Sequence, residues 1–409
     1  ESKEIVDKCM ECGFCEGVCV SEGFTLSPRQ RVATYREIER LKKTGQEPHL
    51  AAEMYKRYQY MALDSCATDS LCYVKCPLKV DTGKLVKELR HEAHSDFQES
   101  IAAKIAANMS FVTAFLRFAL KAVHFIRLIF GKKIFGAVAG MVRKISFGTI
   151  PPWHQYFPSG SSKTWKNQKI SEKAGSADNL KVVYFPSCIT RSMGISKEYS
   201  EQGQLTQVVE VLLKRAGYEI IYPENLNSLC CGMAFSSKGF TKAGMESSQK
   251  LERALTSASQ NGKYPVLCDM SPCLYTMKSN FGERLKLYEP AEFTVKFLSD
   301  KLKFNKLERR VAVFAVCSAK KMEVDNYLVE IANKCATEVV VNDTNCCGFA
   351  GDRGFLLPEL NKHGLRFLRE QSKDCSEGYA TSRTCEIGLS HHSGISYKSI
   401  IYLAEEASR

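Results

Sequence analysis

The 18 cysteines of this 409-residue chain are grouped in the way that metal ligands are grouped. Seven lie in two short runs near the N-terminus, and two adjacent pairs, Cys230–Cys231 and Cys346–Cys347, lie further along. A metal centre needs several thiolates that converge on one point, and short fixed spacings provide them. A disulfide framework, the alternative for so many cysteines, is typical of small secreted chains. The grouping therefore predicts metal centres in a reducing, cytoplasmic environment.

The first run, Cys9-x2-Cys12-x2-Cys15-x3-Cys19, is similar to the four-cysteine run of bacterial ferredoxins. In that run the first three thiolates hold one cluster and the fourth reaches a second cluster. Zinc, the alternative metal, is usually held by two separated pairs of ligands. The run therefore favours iron–sulfur over zinc.

The second run, Cys66-x5-Cys72-x3-Cys76-Pro77, has the ferredoxin ending, but Asp69 stands where a cysteine is usual. This spacing is similar to the three-iron site in the iron–sulfur subunits of succinate dehydrogenase and fumarate reductase. The resemblance implies a [4Fe–4S] cluster held by Cys9, Cys12, Cys15 and Cys76. It also implies a second cluster held by Cys19, Cys66 and Cys72. Because thiolate is the preferred ligand of iron, the second cluster is expected to be [3Fe–4S]. Two alternatives stay open: Asp69 completes a [4Fe–4S] cluster, or Asp69 only faces solvent.

The C-terminal part repeats one cysteine pattern: a lone cysteine, Cys-Cys-Gly, and a closing cysteine. The pattern resembles the cysteine-rich CCG domain of heterodisulfide reductases, which also occurs in iron–sulfur subunits of glycolate oxidase and of anaerobic glycerol-3-phosphate dehydrogenase. The matching residues are Cys188, Cys230, Cys231 and Cys273 in the first unit, and Cys317, Cys346, Cys347 and Cys385 in the second. The family motif ends in Cys-x2-Cys. In this chain the first cysteine of that pair is replaced by Met270 in the first unit and by Ser382 in the second. Cys268 lies close enough to take its place in the first unit. Four thiolates suit an iron–sulfur cluster or zinc, and a vestigial site is the third alternative.

Longer stretches around these cysteines resemble the C-terminal half of FAD-linked, NAD-independent D-lactate dehydrogenases. The stretches include Cys76-Pro-Leu-Lys-Val-Asp-Thr-Gly83, Cys346-Cys-Gly-Phe-Ala-Gly-Asp-Arg-Gly354 and Thr381-Ser-Arg-Thr-Cys-Glu-Ile-Gly388. In that family a flavin domain precedes the iron–sulfur regions. The resemblance implies that the FAD and the hydroxy-acid site lie on another domain or on a partner protein. The chain starts at Glu1 rather than methionine, which fits a piece of a longer protein.

The elements that must position these cysteines change type along the chain. Helical patterns fill the N-terminal part, with Ser27-Pro28 as a helix start. From Leu180 onward, short β-runs alternate with helices, which predicts parallel sheets with crossover helices. The fold class is therefore α+α/β. The predicted domains are a ferredoxin-type domain at 1–98, a basic helical segment with a linker at 99–176, and duplicated Cys-Cys-Gly units at 177–306 and 307–409.

The segment from Ile101 to Ile170 has eleven Lys or Arg residues and no Asp or Glu, and it carries most of the chain's net charge of +12. Arg117, Lys121 and Arg127 fall on one side of a predicted helix, and phenylalanine and isoleucine cover the other side. These basic interruptions argue against a spanning helix, which needs about twenty apolar residues. Two alternatives stay open: the helix lies on anionic lipid through the three basic residues, or it packs its apolar side on the protein. No nucleic-acid-binding module accompanies the charge, so nucleic acid is not an expected partner.

Together these patterns predict an electron-transfer module that passes electrons from FAD to quinone or a cytochrome. Its expected place is the cytoplasm, peripherally on the inner face of the cytoplasmic membrane. A disulfide reductase acting at the Cys-Cys-Gly sites is one alternative. A zinc-binding docking or scaffold module is the other.

Overall fold

A computed structural model describes residues 2–146, 148, 151, 153–162, 180–194 and 203–409. Most of the linker predicted to end at residue 176 lies outside these described residues. The described parts form a helical N-terminal domain, two long helices and two α/β units. This architecture agrees at the coarse level with the predicted α+α/β class.

The N-terminal domain is built from helices that bracket the two cysteine runs. Its elements are α1 (Ser2–Asp7), α2 (Pro28–Thr44), α3 (Pro48–Tyr58), a π-helical turn (Gln59–Asp64), α4 (Leu71–Lys75) and α5 (Thr82–Glu92). Ser27 caps α2 as predicted: its hydroxyl accepts from the Gln30 amide, and the Gln30 side chain accepts from the Ser27 amide. Buried side chains such as Ile38, Leu63 and Leu85 join these helices into one core.

Two helices connect this domain to the α/β units. They are α6 (Asp96–Ala107), which begins with a second capping box at Ser95, and α7 (Met109–Ile145). Helix α7 consists of two helical stretches that meet at Gly131, whose φ of 76° lies in the left-handed region. The chain can therefore change direction at Gly131 without steric strain.

The first α/β unit has a four-stranded parallel sheet with the strand order β2-β1-β3-β4. Its strands are β1 (Leu180–Phe185), β2 (Tyr218–Ile221), β3 (Val266–Cys268) and β4 (Leu287–Tyr288). Its helices are α8 (Cys188–Ser192), α9 (Leu205–Arg215), α10 (Met233–Ser236), α11 (Thr241–Ala258), α12 (Ser271–Phe281) and α13 (Pro290–Phe293), with a 3₁₀ turn (Leu226–Ser228) and a π-helical turn (Thr294–Leu298).

The second unit repeats this topology in a parallel sheet with the order β6-β5-β7-β8. Its strands are β5 (Leu307–Val313), β6 (Ala336–Val341), β7 (Glu377–Ala380) and β8 (Tyr397–Ser399). Its helices are α14 (Cys317–Lys321), α15 (Asp325–Cys335), α16 (Arg353–Leu356), α17 (Pro358–Gly364), α18 (Leu368–Gln371), α19 (Arg383–Ser393) and α20 (Ile400–Ala407). Because each cysteine of the motif falls at the same point of the repeat, the structure agrees with an internal duplication.

The two units share one apolar core. Side chains of both sheets, including Tyr184 and Tyr379, belong to the same buried cluster, together with residues of α9, α15 and α20. Backbone contacts also join the units, since the Ser271 amide donates to the Thr381 carbonyl at 3.0 Å. The units are therefore held as one body, which fixes the distance between their cysteine sites.

Candidate metal centres

The first cluster site is a cavity in the N-terminal domain. Its four predicted ligands all line this cavity: Cys9, Cys12, Cys15 and Cys76. Gly13 lies between them with a φ of 86°, which lets the backbone turn closely around the space. Burial raises the pKa of the Cys15 thiol to about 11, and the neighbouring Cys9 adds to this. Four sulfur donors around one cavity suit a [4Fe–4S] cluster, and the thiolates would need its positive iron charge to form.

The second cluster site consists of Cys19, Cys66 and Cys72, of which Cys72 also lines the first cavity. A buried guanidinium accompanies these thiols: Arg31 donates to Cys19 Sγ at 3.7 Å and to Ser21 Oγ at 2.8 Å. Burial acts to lower the pKa of Arg31, but the charges of Cys66 and Cys19 outweigh it and raise that pKa. A fixed positive charge at this place offsets the negative charge that several thiolates bring together.

Asp69 lies between this site and the second Cys-Cys-Gly unit. Its carboxylate and the sulfurs of Cys317 and Cys346 form a group whose ligand atoms all lie within 4.8 Å of one another. The negative charge of Asp69 contributes to the raised pKa of Cys72 on one side and of Cys346 on the other. None of the roles predicted for Asp69 from the sequence included this contact with the C-terminal part.

The first Cys-Cys-Gly site is the set Cys188, Cys230, Cys231 and Cys273. Cys188 opens α8, the adjacent pair precedes α10, and Cys273 lies in α12. The sulfurs of Cys188 and Cys230 are 4.0 Å apart, and the pKa of Cys188 is raised by this contact and by burial. Cys268 is fully buried beside the set, but its thiol donates to the Met270 carbonyl at 3.6 Å.

A buried arginine also accompanies the first Cys-Cys-Gly site. Arg191 is 1% exposed and donates to the carbonyls of Pro186, Leu226 and Leu229. Burial lowers the pKa of its guanidinium, while the nearby Cys188 and Cys230 oppose that change. Arg191 therefore ties the loop before the Cys-Cys pair to the helix that begins with Cys188.

The first Cys-Cys-Gly site is covered by the two connecting helices. Ala102 and Ala106 of α6 and Met109 of α7 belong to one apolar cluster with Cys230. This cover is made of small and apolar side chains that offer no metal ligand other than the Met109 thioether. Three of its four thiols are buried, and the cover over Cys230 is largely apolar.

The second Cys-Cys-Gly site is the set Cys317, Cys346, Cys347 and Cys385. The sulfurs of Cys347 and Cys385 are 3.1 Å apart, and contact with Cys346 together with burial raises the pKa of Cys317 well above its usual range. All four cysteines line a cavity of about 300 Å³. Three lysines line the same cavity, namely Lys84, Lys87 and Lys321. This site thus adjoins a space large enough for a small molecule.

Helix α7 presents its apolar side outward. Phe111, Phe118 and Ile129 are exposed by 71%, 70% and 62%, whereas Arg127 is only 8% exposed and lies over the Trp153 ring. The carbonyl of Arg117 packs on Gly160, where an added Cβ would lie 2.1 Å from it. The prediction that Arg117, Lys121 and Arg127 form the contact surface is therefore wrong for Arg127, because the protein side of the helix buries it.

The length and composition of the same helix also depart from expectation. The 23 residues from Met109 to Gly131 are apolar enough, and numerous enough, to cross a membrane. The basic residues therefore do not exclude a spanning helix, contrary to the expectation from sequence. A water-soluble helix usually buries its apolar side, whereas this helix leaves that side exposed in the described part of the chain.

Sequence reasoning did not single out three elements of these sites: Arg31, Arg191 and the cavity. Arg31 carried a readable signal, since it lies on the same face of α2 as the core residues Tyr35 and Ile38, at helical spacing. A charged residue on a buried face points to a buried partner. The cavity had no such signal, because its lining comes from three separate parts of the chain.

Comparison with protein families agrees with this division of the chain. The model of the 4Fe-4S dicluster domain matches residues 5–80, and that of the cysteine-rich domain called CCG matches residues 182–278 and 311–376. The N-terminal match covers both ferredoxin-type thiol sets. Iron–sulfur clusters are therefore the supported occupants of the N-terminal sites, and each α/β unit matches the cysteine-rich domain over part of its length.

Two curated proteins are similar to this chain over about half its length. They are the C subunits of the anaerobic glycerol-3-phosphate dehydrogenases of Escherichia coli strain K12 and of Escherichia coli O157:H7. Each is 25% identical over 226 residues, which is 52% of this chain and 50% of the relative. The chain thus spans about half the length of these relatives.

Proposed function

We propose that this chain is the iron–sulfur electron-transfer part of a dehydrogenase complex, and that its partner is a flavin-dependent catalytic domain or subunit. One observation carries the proposal: the second cluster site is packed directly on the second Cys-Cys-Gly site. Val20 and Leu71, which neighbour Cys19 and Cys72, belong to one apolar cluster with Cys346 and Leu360. Since Cys72 also lines the cavity of the first cluster site, three of the thiol sets follow one another in a row, from the first cluster site through the second to the second Cys-Cys-Gly site. Bound iron–sulfur clusters would supply one-electron transfer along such a row.

The chain's own residues would hold and tune these centres. Burial keeps water away from the thiols of Cys66, Cys72 and the two Cys-Cys pairs, and a low-dielectric environment strengthens the effect of any nearby charge. Arg31 beside the second cluster site and Arg191 beside the first Cys-Cys-Gly site each place a buried positive charge there. A positive charge favours the more negative, reduced state of a centre, so both arginines would raise the reduction potential.

The substrate class that we propose for the complex is a D-2-hydroxy acid, with D-lactate as the first candidate. Support comes from the stretches around Cys76, Cys346 and Cys385 that resemble the FAD-linked D-lactate dehydrogenases. The similarity to the C subunit of a glycerol-3-phosphate dehydrogenase supports the coarser statement that the chain serves a dehydrogenase. The FAD would lie on the partner, together with the hydroxy-acid site.

The electron acceptor that we propose is a quinone or a cytochrome at a membrane. The exposed apolar side of α7 supports this, because lipid or a membrane partner would cover side chains such as Phe111 and Phe118. The protein would then lie in the cytoplasm, attached to the inner face of the cytoplasmic membrane.

Substitution of a first-site ligand tests the relay. In the complex with its flavoprotein, Cys12→Ser should leave flavin reduction by D-lactate unchanged and lower acceptor reduction at least a hundredfold, because only the exit path of the electrons is cut. Stopped-flow flavin absorbance and steady-state quinone reduction measure the two steps. Cys375→Ser, which changes a buried cysteine outside every motif, is the control. Loss of flavin reduction in a folded Cys12→Ser variant would refute the relay.

The cavity beside the second Cys-Cys-Gly site favours a second candidate function, the reduction of a disulfide. Lys84, Lys87 and Lys321 would suit an anionic substrate there. Reduced protein would then cleave an anionic mixed disulfide without any flavoprotein, and Cys346→Ser would abolish the reaction. If the chain instead binds only zinc, as a scaffold would, elemental analysis will find no iron in it.

A further inference from the structure

We infer that Asp69 is a metal ligand of the second Cys-Cys-Gly site, and that it replaces there the cysteine missing at position 382. A loop of the N-terminal domain would thus complete a centre whose other ligands lie in the C-terminal unit. The inference rests on the proposed function in one respect only, namely that this site holds a metal. Asp69 is then not a ligand of the second cluster site, which keeps three thiolate ligands.

The position of the carboxylate supports this assignment. Asp69 shares a group of ligand atoms with Cys317 and Cys346, all within 4.8 Å of one another. Its Oδ1 accepts a hydrogen bond from the Leu71 amide at 3.1 Å, which orients the carboxylate. Its Oδ2 is buried and has no hydrogen-bond partner among the described residues. A buried carboxylate oxygen without a partner is costly, and a metal cation would remove that cost.

The backbone around Asp69 is held in a conformation that needs a reason. Thr68 and Ser70, on either side, have φ values of 50° and 56°. Non-glycine residues avoid this left-handed region, and a β-branched residue such as Thr68 does so most strongly. Each such residue is energetically costly, and such residues cluster at functional sites. The loop thus keeps a strained shape that carries Asp69 to the thiols of the other domain.

Ser382 provides the complementary observation. It stands where the family motif has a cysteine, lines the same cavity as the four thiols, and has a buried Oγ for which the described part of the chain offers no hydrogen-bond partner. A serine hydroxyl is a weaker ligand for iron or zinc than a thiolate or a carboxylate. With Asp69 the site regains five strong donors, the number that the full motif supplies.

The first Cys-Cys-Gly site offers the contrast within the molecule. The space over Cys230 is filled there by Ala102, Ala106 and Met109. The missing cysteine of that unit is Met270, whose Sδ accepts a hydrogen bond from the Arg383 amide at 3.1 Å. At the matching position of the first site the side chain is thus already engaged, whereas the second site has two oxygens, of Asp69 and Ser382, that a metal could engage.

The test compares variants of the full chain after anaerobic purification. Asp69→Asn keeps the shape of the side chain, Cys346→Ser removes a thiolate of the same site, and Cys66→Ser removes one of the second cluster site. Asp64→Asn is the control, because it changes an exposed carboxylate five residues earlier in the chain. Iron and zinc per chain, electron paramagnetic resonance spectra and the rate of metal loss to a chelator are measured for each variant.

We expect Asp69→Asn to lose, at least tenfold faster than the control, the same metal that Cys346→Ser lacks. The double variant Asp69→Asn/Cys346→Ser should have the same metal content as Cys346→Ser alone. Asp69→Cys should restore the slow loss of metal. Signals that depend on Cys66 should stay unchanged. If Asp69→Asn alters only those signals, or if its metal loss matches the control, the inference is wrong. If Cys346→Ser lacks no metal, the inference fails together with the role of this site, while the N-terminal relay, tested by Cys12→Ser, still stands.

Discussion

The two Cys-Cys-Gly units have the same scaffold and different surroundings. Their sheets have matching strand orders, and their cysteines occupy matching turns. Over the first site lie the apolar residues Ala106 and Met109, and beneath it the buried Arg191. Over the second lies Asp69, beside a cavity of about 300 Å³. If the units arose by duplication, the residues that surround the two sites have therefore diverged far more than the strand order and the cysteine positions.

This difference matters because closed sites and open sites serve different purposes. A metal site that the protein fully covers usually stabilises structure or stores electrons, while a reactive site keeps an open position. The first site is nearer to the former description where the apolar residues of α6 and α7 cover Cys230. The second fits the latter, since a small molecule could reach its thiols through the cavity. Paired substitutions, one in each unit, test whether the two sites differ in this way.

The largest effect is expected at the glycines of the two Cys-Cys-Gly motifs. Gly232 and Gly348 have φ values of 85° and 71°, and an added Cβ would lie 2.1 Å from the Gly244 carbonyl oxygen in one case and 2.8 Å from the Leu360 oxygen in the other. Gly232→Ala should therefore prevent folding of the first unit, whereas Gly348→Ala should fold but bind less metal. Circular dichroism melting and elemental analysis measure both. Equal damage by both substitutions would mean that the tighter packing of the first site has no energetic consequence.

An intermediate effect is expected at the basic residue three positions after each lone cysteine. Arg191 donates to three carbonyls, two of them just before the Cys-Cys pair, whereas Lys320 makes one bond, to the Thr344 carbonyl at 3.0 Å. Arg191→Met leaves several buried carbonyls without a donor and should cost about 3 kcal/mol or more of unfolding free energy; Lys320→Met should cost about 1 kcal/mol. Chemical denaturation of the anaerobic protein measures the pair. A Lys320→Met variant as unstable as Arg191→Met would contradict the contrast.

The smallest effect is a pH dependence at the N-cap of the helix that follows the last strand of each sheet. Glu289 stands there in the first unit and Ser399 in the second. Burial raises the pKa of Glu289 to about 7 from its usual 4.5. The folded protein then keeps a proton that the unfolded chain releases, so stability falls as the pH rises from about 4.5 to about 7 and changes little above that. Over this range the loss is at most about 1.4 kcal/mol per pH unit.

Glu289→Gln tests this prediction, because glutamine can still accept from the Ser271 hydroxyl and does not titrate. The melting temperature of the variant should depend less on pH than that of the wild type between pH 4.5 and pH 7. Glu22→Gln, which changes an exposed carboxylate, is the control. Identical pH profiles for the wild type and Glu289→Gln would show that Glu289 is ionised in the folded protein.

Local sequence signals predicted much of this structure. The helix start at Ser27-Pro28, the alternation of strands and helices after Leu180 and the repeated cysteine pattern all depend on nearby residues, and each is present. The four ligands of the first cluster site also line one cavity, as the ferredoxin-like spacing indicated. Short-range geometry suffices for such features.

Features that depend on docking between distant parts could not be predicted. Which thiols lie beside Asp69 depends on how the N-terminal domain packs on the second unit through residues such as Val20 and Leu360. The outward apolar face of α7 likewise depends on its neighbours: its amphipathic pattern was visible, but a helix with this pattern usually buries the apolar side. In both cases the sequence indicated which residues form the surface but not which part of the molecule or which partner contacts it.

The contact between the two units has an evolutionary consequence. At the positions where the family motif loses a cysteine, the two copies touch each other: Met270 accepts from the Arg383 amide, and Ser271 bonds to Thr381. Each copy therefore forms part of the other's environment at the place where both have changed. The two units could therefore not accumulate substitutions independently at these contact positions. Among descendants of the same duplication, substitutions at 270 and 271 should be accompanied by changes at 381 to 383.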